Sequence, residues 1–319
     1  DGLGGGNFLC IVPVNLQCIA HPDQVVAIRM GILIMAENSL PQIKKKRKIR
    51  VNLATLILIP MSLVALLPFI WMILGSFKTG AEIRQIPPTF FPQTFTLDNY
   101  RKVLTDPQLP LGLFYRNSAI IAVANVIQVL FTSSLLGYIF AKFEFKFKKV
   151  IFWFILATMM IPSQLTMIPG YLILAKLGLI NNLLGLIVPA AVDAFGIFLF
   201  RQFAQSVPNE LLDAARVDGA GEFKIYFKIV LPQLGPALAT LGMLTFMFNW
   251  NAYLWPLIVL TEQKVRTLPI ILTWFSSRMV SNDHYTMAAS VLVILPVLIV
   301  YLFVQKWIVE GITLSGLKG

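Results

Sequence analysis

The chain has 319 residues, of which 57% are hydrophobic and 13% charged, with a formal net charge of +11 and a mean hydropathy of +0.76. Soluble domains carry roughly 45–50% apolar and about 25% charged residues, so a soluble globular protein is excluded and a polytopic membrane protein expected. The basic residues flank apolar runs and form no separate domain, which argues against nucleic-acid binding as the source of the charge.

Residues 1–34 differ from the rest. They hold both cysteines, Cys10 and Cys18, and one of the two histidines. The apolar piece from Phe8 to Ala20 lacks the basic segment that precedes a signal-peptide core. We therefore expect translation from Met35, with 1–34 a leader outside the native protein. The working chain would then have no cysteine, hence no disulfide, thiol nucleophile or thiolate metal site. Residues 35–52 contain "KKKRKIR" (Lys44 to Arg50), a cluster the positive-inside rule keeps in the cytoplasm.

From residue 53 onward six apolar runs follow, at about 53–75, 117–141, 150–171, 183–203, 234–260 and 286–305. Each approaches the roughly 20 helical residues needed to cross a bilayer. They are continuously apolar and lack the period of two of a barrel strand. The expected fold is an all-α polytopic membrane protein with six transmembrane helices. Both termini and the loops 142–149 and 204–233 fall in the cytoplasm.

Enzyme chemistry is hard to find. The chain has no GxxxxGK[ST] phosphate loop, no HExxH and no GxSxG, so ATP hydrolysis by the phosphate-loop route is not expected of it. His284, in "SNDHY", reads as a solvated loop histidine. No metal site and no cofactor is expected.

The loop between the fourth and fifth runs interrupts this apolar chain with "NELLDAARVDGAGEFKIYFKIVLP" (209–232). Pro208 and Asn209 precede good helix formers, with Glu210 and Asp213 in the early turns. Asp218-Gly219 offers a C-cap, since glycine accepts a left-handed backbone. On a helical wheel Leu211, Ala214 and Ala215 fall together, while Asp213 and Arg216 point elsewhere and can pair. A second helical segment, "EFKIYFKIV", leads back toward the membrane. These features fit either a solvated connector or a docking element.

Spacing separates the two. Asp213-Ala214-Ala215, three residues, Gly219, nine residues, Ile229, one residue, Leu231-Pro232 resembles the EAA loop of binding-protein-dependent ABC importer permeases, E-A-A-x3-G-x9-I-x-L-P. Asp213 stands in for glutamate, and Gly221 occupies a position that is often serine. The resemblance extends over 53–319, with "PFIWMILGSFKT", "NWNAYLWPLIVL" and "QKWIVEGITLSGLKG" similar to the carbohydrate subgroup, in kind the smaller membrane subunit of maltose-type importers. It implies a prokaryotic plasma-membrane subunit, a second permease subunit, two ATPase subunits that bind ATP and Mg, and an extracytoplasmic sugar-binding protein. It also implies ATPase-docking and hinge roles for Asp213, Ala214, Ala215 and Gly219.

Polar residues inside the runs are the candidates for a substrate pathway. Asp193 lies near the centre of the fourth run, where an acid costs about 2.5–3.5 kcal/mol on insertion scales. It would line a path or make a helix–helix or subunit contact. Asn249 and Asn251 could bond sugar hydroxyls and Trp250 could stack on a sugar ring, although asparagine also joins helices. The alternatives are permeases of the same class for glycerol-phosphate, peptide or amino acid, and an ion-coupled secondary transporter, for which no convincing internal repeat is visible.

Overall fold

The computed structural model describes residues 53–276 and 283–316, with side chains over 56–273 and 283–306. The chain divides into two compact units, Asp1–Met61 and Ser62–Gly319. Of the first, only the start of helix α1 is described. The leader, the Met35 start and the Lys44–Arg50 cluster lie outside the described residues.

Among the described residues the secondary structure is helical throughout. Helix α1 (Leu53–Ser76) leads to the short α2 (Gly80–Ile83) and to α3 (Asp98–Thr105). Between α1 and α3 the buried Asn99 donates from Nδ2 to the carbonyls of Ser76 and Lys78, at 2.8 Å each. Helix α4 (Leu111–Lys142) is 32 residues long, about 48 Å at 1.5 Å per residue. Then come α5 (Lys148–Thr158), α6 (Ser163–Lys176), α7 (Leu184–Ile187) and α8 (Ala194–Gln205). Helices α9 (Asn209–Val217) and α10 (Glu222–Gln233) form the loop anticipated between the fourth and fifth runs. Helix α10 carries a π-helical turn over Tyr226–Val230. The chain closes with α11 (Gly235–Trp250), α12 (Leu254–Val259), α13 (Ile271–Ser276) and α14 (Asp283–Gly316).

Three stretches are long and apolar enough to cross a membrane as single helices, Leu56–Ser76, Leu111–Lys142 and Asp283–Lys306. Three others are bent pairs, α5 with α6 at 96°, α7 with α8 at 42°, and α10 with α11 at 80°. The spans therefore number three, or six if each bent pair counts as one. Prolines sit at these breaks: Pro162 precedes α6, Pro189 follows α7, and Pro232 and Pro236 flank the bend before α11. A proline cannot donate to the preceding turn, although Val188 and Leu231, before Pro189 and Pro232, keep helical backbone angles. The run 234–260 also overreaches, because α11 ends at Trp250 with Asn251 as its cap and α12 is separate.

Helix α4 is the axis of the bundle, packed along α8 and α11, while α11 also packs on α14. Small residues allow the closest approach. A Cβ on Gly137 would lie 2.5 Å from the Cβ of Phe200, and one on Gly196 would lie 2.5 Å from Oγ of Ser133. Close backbone contact through small residues is the usual way helices associate in lipid, where burial of apolar surface gives no advantage. One core, with Tyr138, Phe200, Leu212, Ile225 and Tyr226, gathers at the C-terminal ends of α4 and α8. Another, with Phe114, Trp250, Leu268 and Ala288, gathers toward the start of α4. Helix α1 differs, with Leu63, Val64 and Leu66 all more than half exposed. A helix apolar on every side and uncovered by its own chain suits lipid or another subunit.

Candidate functional site

Helix α9 is short, and its hold on the bundle comes from a few contacts. Leu212 is 1% exposed and packs in the core with Phe200, Ile225 and Tyr226. Ala215, one turn on, packs half-buried against the same core. At its start, Lys142 from the end of α4 donates to the Val207 carbonyl at 2.6 Å and to Asn209 Oδ1 at 2.8 Å. Of the three residues that fall together on the wheel, Leu211 is 48% exposed and Ala214 is exposed, while Ala215 is half-buried; Leu212 is the inward anchor. Val217 is 88% exposed. Leu211, Ala214 and Val217 thus form an exposed apolar strip on α9, beside the exposed Glu210, Asp213 and Arg216.

The end of the helix is built as the sequence suggested. Gly219 has φ +76°. Its N–H bonds to the Arg216 carbonyl at 3.0 Å and the Ala220 N–H bonds to the Ala215 carbonyl at 2.9 Å. This pair of bonds is the Schellman motif, with Gly219 at the left-handed position. No atom lies within 4 Å of a Cβ built on Gly219, so the backbone conformation alone requires glycine there.

An ion network joins α9 to α10. Arg216 pairs with Asp213 (Nη1 to Oδ1, 2.8 Å) and with Glu222 (Nε to Oε1, 2.8 Å). Tyr138 on α4 donates to Glu222 Oε2 at 3.2 Å, and Tyr226 shares a 2.6 Å bond with Ser134. The hydrogen bond to Glu222, partly opposed by desolvation and reinforced by the bond to Asp213, holds the Arg216 guanidinium pKa above its ordinary value. Both carboxylates are substantially exposed, so the network contributes geometry more than stability.

The polar residues inside the bundle fall into different places. Asp193 caps α8, accepting from the Gly196 N–H at 2.7 Å. Trp250 is 3% exposed, donates to the Val293 carbonyl at 2.9 Å and stacks on Phe246. Asn251 is the exposed cap of α11. Asn249 bonds the Thr245 carbonyl at 2.8 Å and accepts from Asn125. Asn125 in turn accepts from Gln128 at 2.6 Å, and Gln128 donates to the Ile187 carbonyl at 2.6 Å. Thr132 donates to the Ala191 carbonyl at 2.6 Å. One face of α4 therefore supplies the hydrogen bonds that the break between α7 and α8 leaves unmade, a condition for broken helices in lipid.

Residues 133–314, more than half of the chain, match the family model described as a binding-protein-dependent transport system inner membrane component. This chain belongs to that family. The permease is 38% identical over 258 residues to the arabinooligosaccharides transport system permease protein AraQ of Halalkalibacterium halodurans, covering 80% of the permease and 92% of the relative. It is 35% identical to the lactose transport system permease protein LacG of Rhizobium radiobacter, covering 78% and 89%. It is also 34% identical to the sn-glycerol-3-phosphate transport system permease protein UgpE of Pectobacterium atrosepticum, covering 72% and 84%. Among solved structures, a bacterial ABC transporter involved in the import of the acidic polysaccharide alginate superposes with a TM-score of 0.69 at 26% identity, over 90% of the permease and 98% of that chain.

In the permease, Asp213, Ala214, Ala215 and Gly219 come together on one short helix and its cap. Asp193, Asn249, Trp250 and Asn251 do not form one site: Asn249 alone joins a shared polar cluster. Sequence reasoning missed Asn125, Gln128 and Thr132, although their spacing of three and four residues in an apolar run marks one helix face. It also passed over Leu212 and Glu222. His284, expected in solvent, is half-buried beside Gly80 with Nδ1 unpartnered.

Proposed function

We propose that this permease is a membrane subunit of an ATP-driven importer for a sugar or oligosaccharide, with α9 docking on a separate ATPase subunit. The outer face of α9 carries this reading: Leu211, Ala214 and Val217 stay uncovered by the chain itself, while Leu212, Lys142 and Gly219 fix the helix from behind. The small side chain of Ala214 at the middle of this face suits close approach to a groove. In this reading each bent pair is one span, giving six, with both termini and α9 on the cytoplasmic side of a prokaryotic plasma membrane. A second permease subunit completes the pathway, two ATPase subunits bind ATP and Mg, and an extracytoplasmic binding protein delivers the sugar.

The mechanism follows from these connections. ATP-driven closure of the ATPase pair moves α9, and Leu212, Arg216 and Glu222 pass the displacement to α10 and α4. Helices α10 and α11 then turn about their bend, opening the pathway to one side or the other. Asn249 with Asn125 and Gln128 would present amides to sugar hydroxyls as the helices part, and Asn251 lies exposed one helix end away. Asp193 and Trp250 serve the pathway as cap and packing residue. Carbohydrate is preferred over glycerol-phosphate because the arabinooligosaccharide and lactose relatives are the more similar ones and the alginate importer shares the fold. The test is reconstitution of the complete importer in proteoliposomes. ATP should drive accumulation of an oligosaccharide and not of sn-glycerol 3-phosphate, and a proton or sodium gradient alone should drive neither. Ion-driven uptake by the permease pair without the ATPase would overturn the reading.

A further inference from the structure

A cleft of about 750 Å³ opens at the end of the bundle that carries α9. Its walls come from the end of α4, the connection 143–147, the first turns of α5 and the end of α8, including Phe140, Glu144, Phe147, Lys149, Trp153 and Arg201. The size lies within the range of ligand clefts. The charge is one-sided. Lys148, Lys149 and Arg201 face a single carboxylate, Glu144, which Lys148 already engages at 2.8 Å. Arg201 is held in place: its guanidinium lies 4.4 Å from the centroid of the Phe152 ring and its Nε donates to the Phe140 carbonyl at 3.3 Å. That leaves the remaining N–H groups of its fork, which match phosphate oxygens well.

The rim is apolar. Phe147 is 63%, Val150 50% and Trp153 69% exposed, and Ile151 and Phe154 continue the uncovered surface along α5. A soluble anion has no use for such a rim, whereas a lipid has both a phosphate and acyl chains. Basic pockets between helices at a membrane surface, with tryptophan at headgroup level, are suited to anionic headgroups.

We propose that this cleft binds the headgroup of an anionic phospholipid, with Lys149 and Arg201 on the phosphate and Trp153 with the exposed face of α5 along the acyl chains. The site does not depend on which solute is transported. It lies one turn of chain from α9, since Gln205 lines the cleft and α9 begins at Asn209, so its occupancy bears on the docking helix.

The test uses the complete importer purified in detergent, offered equal amounts of phosphatidylglycerol and phosphatidylcholine, with retained lipid measured by native mass spectrometry. Wild type should retain phosphatidylglycerol preferentially. Each removed cation should lower that preference about fivefold, from the roughly 1 kcal/mol per basic residue at an anionic surface, so Lys149→Gln alone gives a measurable loss if Arg201→Gln fails to assemble. Lys264→Gln, distant from the cleft, should leave the preference unchanged. Equal retention of the two lipids, or an unchanged preference in Lys149→Gln, would overturn the proposal. Displacement of the lipid by millimolar inorganic phosphate would instead assign the site to a soluble phosphate. Protection of Lys149 from amine-reactive labelling in delipidated complex would assign the face to another subunit. Either of those results also contradicts the proposal.

Discussion

Arg216 reaches Glu222 across the turn that separates α9 from α10, Nε to Oε1 at 2.8 Å. The same guanidinium holds Asp213 at 2.8 Å, and Glu222 in turn accepts from Tyr138. One side chain thus links α9 to the axis of the bundle. Exposed pairs of this kind contribute about 0–1 kcal/mol to stability, so their loss should appear in coupling before it appears in folding. Arg216→Ala is expected to lower transport-coupled ATP hydrolysis several-fold with insertion and subunit assembly unchanged. Glu222→Gln, which retains an acceptor, should cost less. The double variant should be no worse than Arg216→Ala, and additive losses would mean that the two residues act separately.

Gly219 allows strain to be tested without crowding, because its surroundings are open and only φ +76° restricts the residue. A left-handed conformation costs an ordinary L-residue about 1–2 kcal/mol, less for asparagine and more for a β-branched side chain. Coupled ATP hydrolysis should therefore fall in the order Gly, Asn, Ala, Val, with Gly219→Val still inserted and assembled. Equal activity in Asn and Val would mean the cap geometry is not needed for coupling.

Gly137 gives the opposite case, where space and not φ is limiting. A Cβ there meets Phe200 at 2.5 Å and the Arg201 backbone nitrogen at 2.8 Å. Gly137→Ala should destabilise by about 1–3 kcal/mol, the usual range for overpacking, and lower the melting temperature of the detergent-solubilised complex. Gly112→Ala, with nothing within 4 Å, should be neutral or slightly stabilising, since alanine is the better helix former by about 1 kcal/mol. Similar shifts in the two variants would contradict the α4–α8 contact.

Asp193 serves as a cap, so its shape matters more than its charge. Asparagine caps as well as aspartate, while alanine costs about 1 kcal/mol at such a position. Asp193→Asn should keep most uptake, and Asp193→Leu should lose more. Equal loss in Asn and Leu would make the carboxylate itself a pathway group.

Periodicity and spacing carried much of this in the sequence. The apolar runs marked α1, α4 and α14 because straight helices need only length and composition. Pro208-Asn209 and Asp218-Gly219 located α9 and its glycine cap, and the spacing from Asp213 to Pro232 carried the family resemblance. The breaks at Pro162 and Pro189 were less legible, since a proline inside an apolar run permits either a kink or a full bend, and tertiary contacts decide between them. The inward anchor of α9 was not legible, because Leu211 and Leu212 are equivalent in composition, and only the core around Phe200 chooses Leu212. Asn125, Gln128 and Thr132 were passed over because their role is to serve carbonyls of a distant segment, and which backbone groups are left open is a property of the folded chain.

In the proposed importer α9 seats its outer face in an ATPase subunit. Ala214 is exposed on that face whereas Ala215 is half-buried, so residue 214 is the better place for a probe. With Cys10 and Cys18 replaced by serine, Ala214→Cys should form a disulfide with a cysteine placed in the ATPase groove of the assembled importer. The yield should change between the ATP-bound and nucleotide-free states, because ATP closure moves the groove. No cross-link in any nucleotide state, together with unimpaired ATP-driven uptake, would contradict the account and leave α9 a solvated connector.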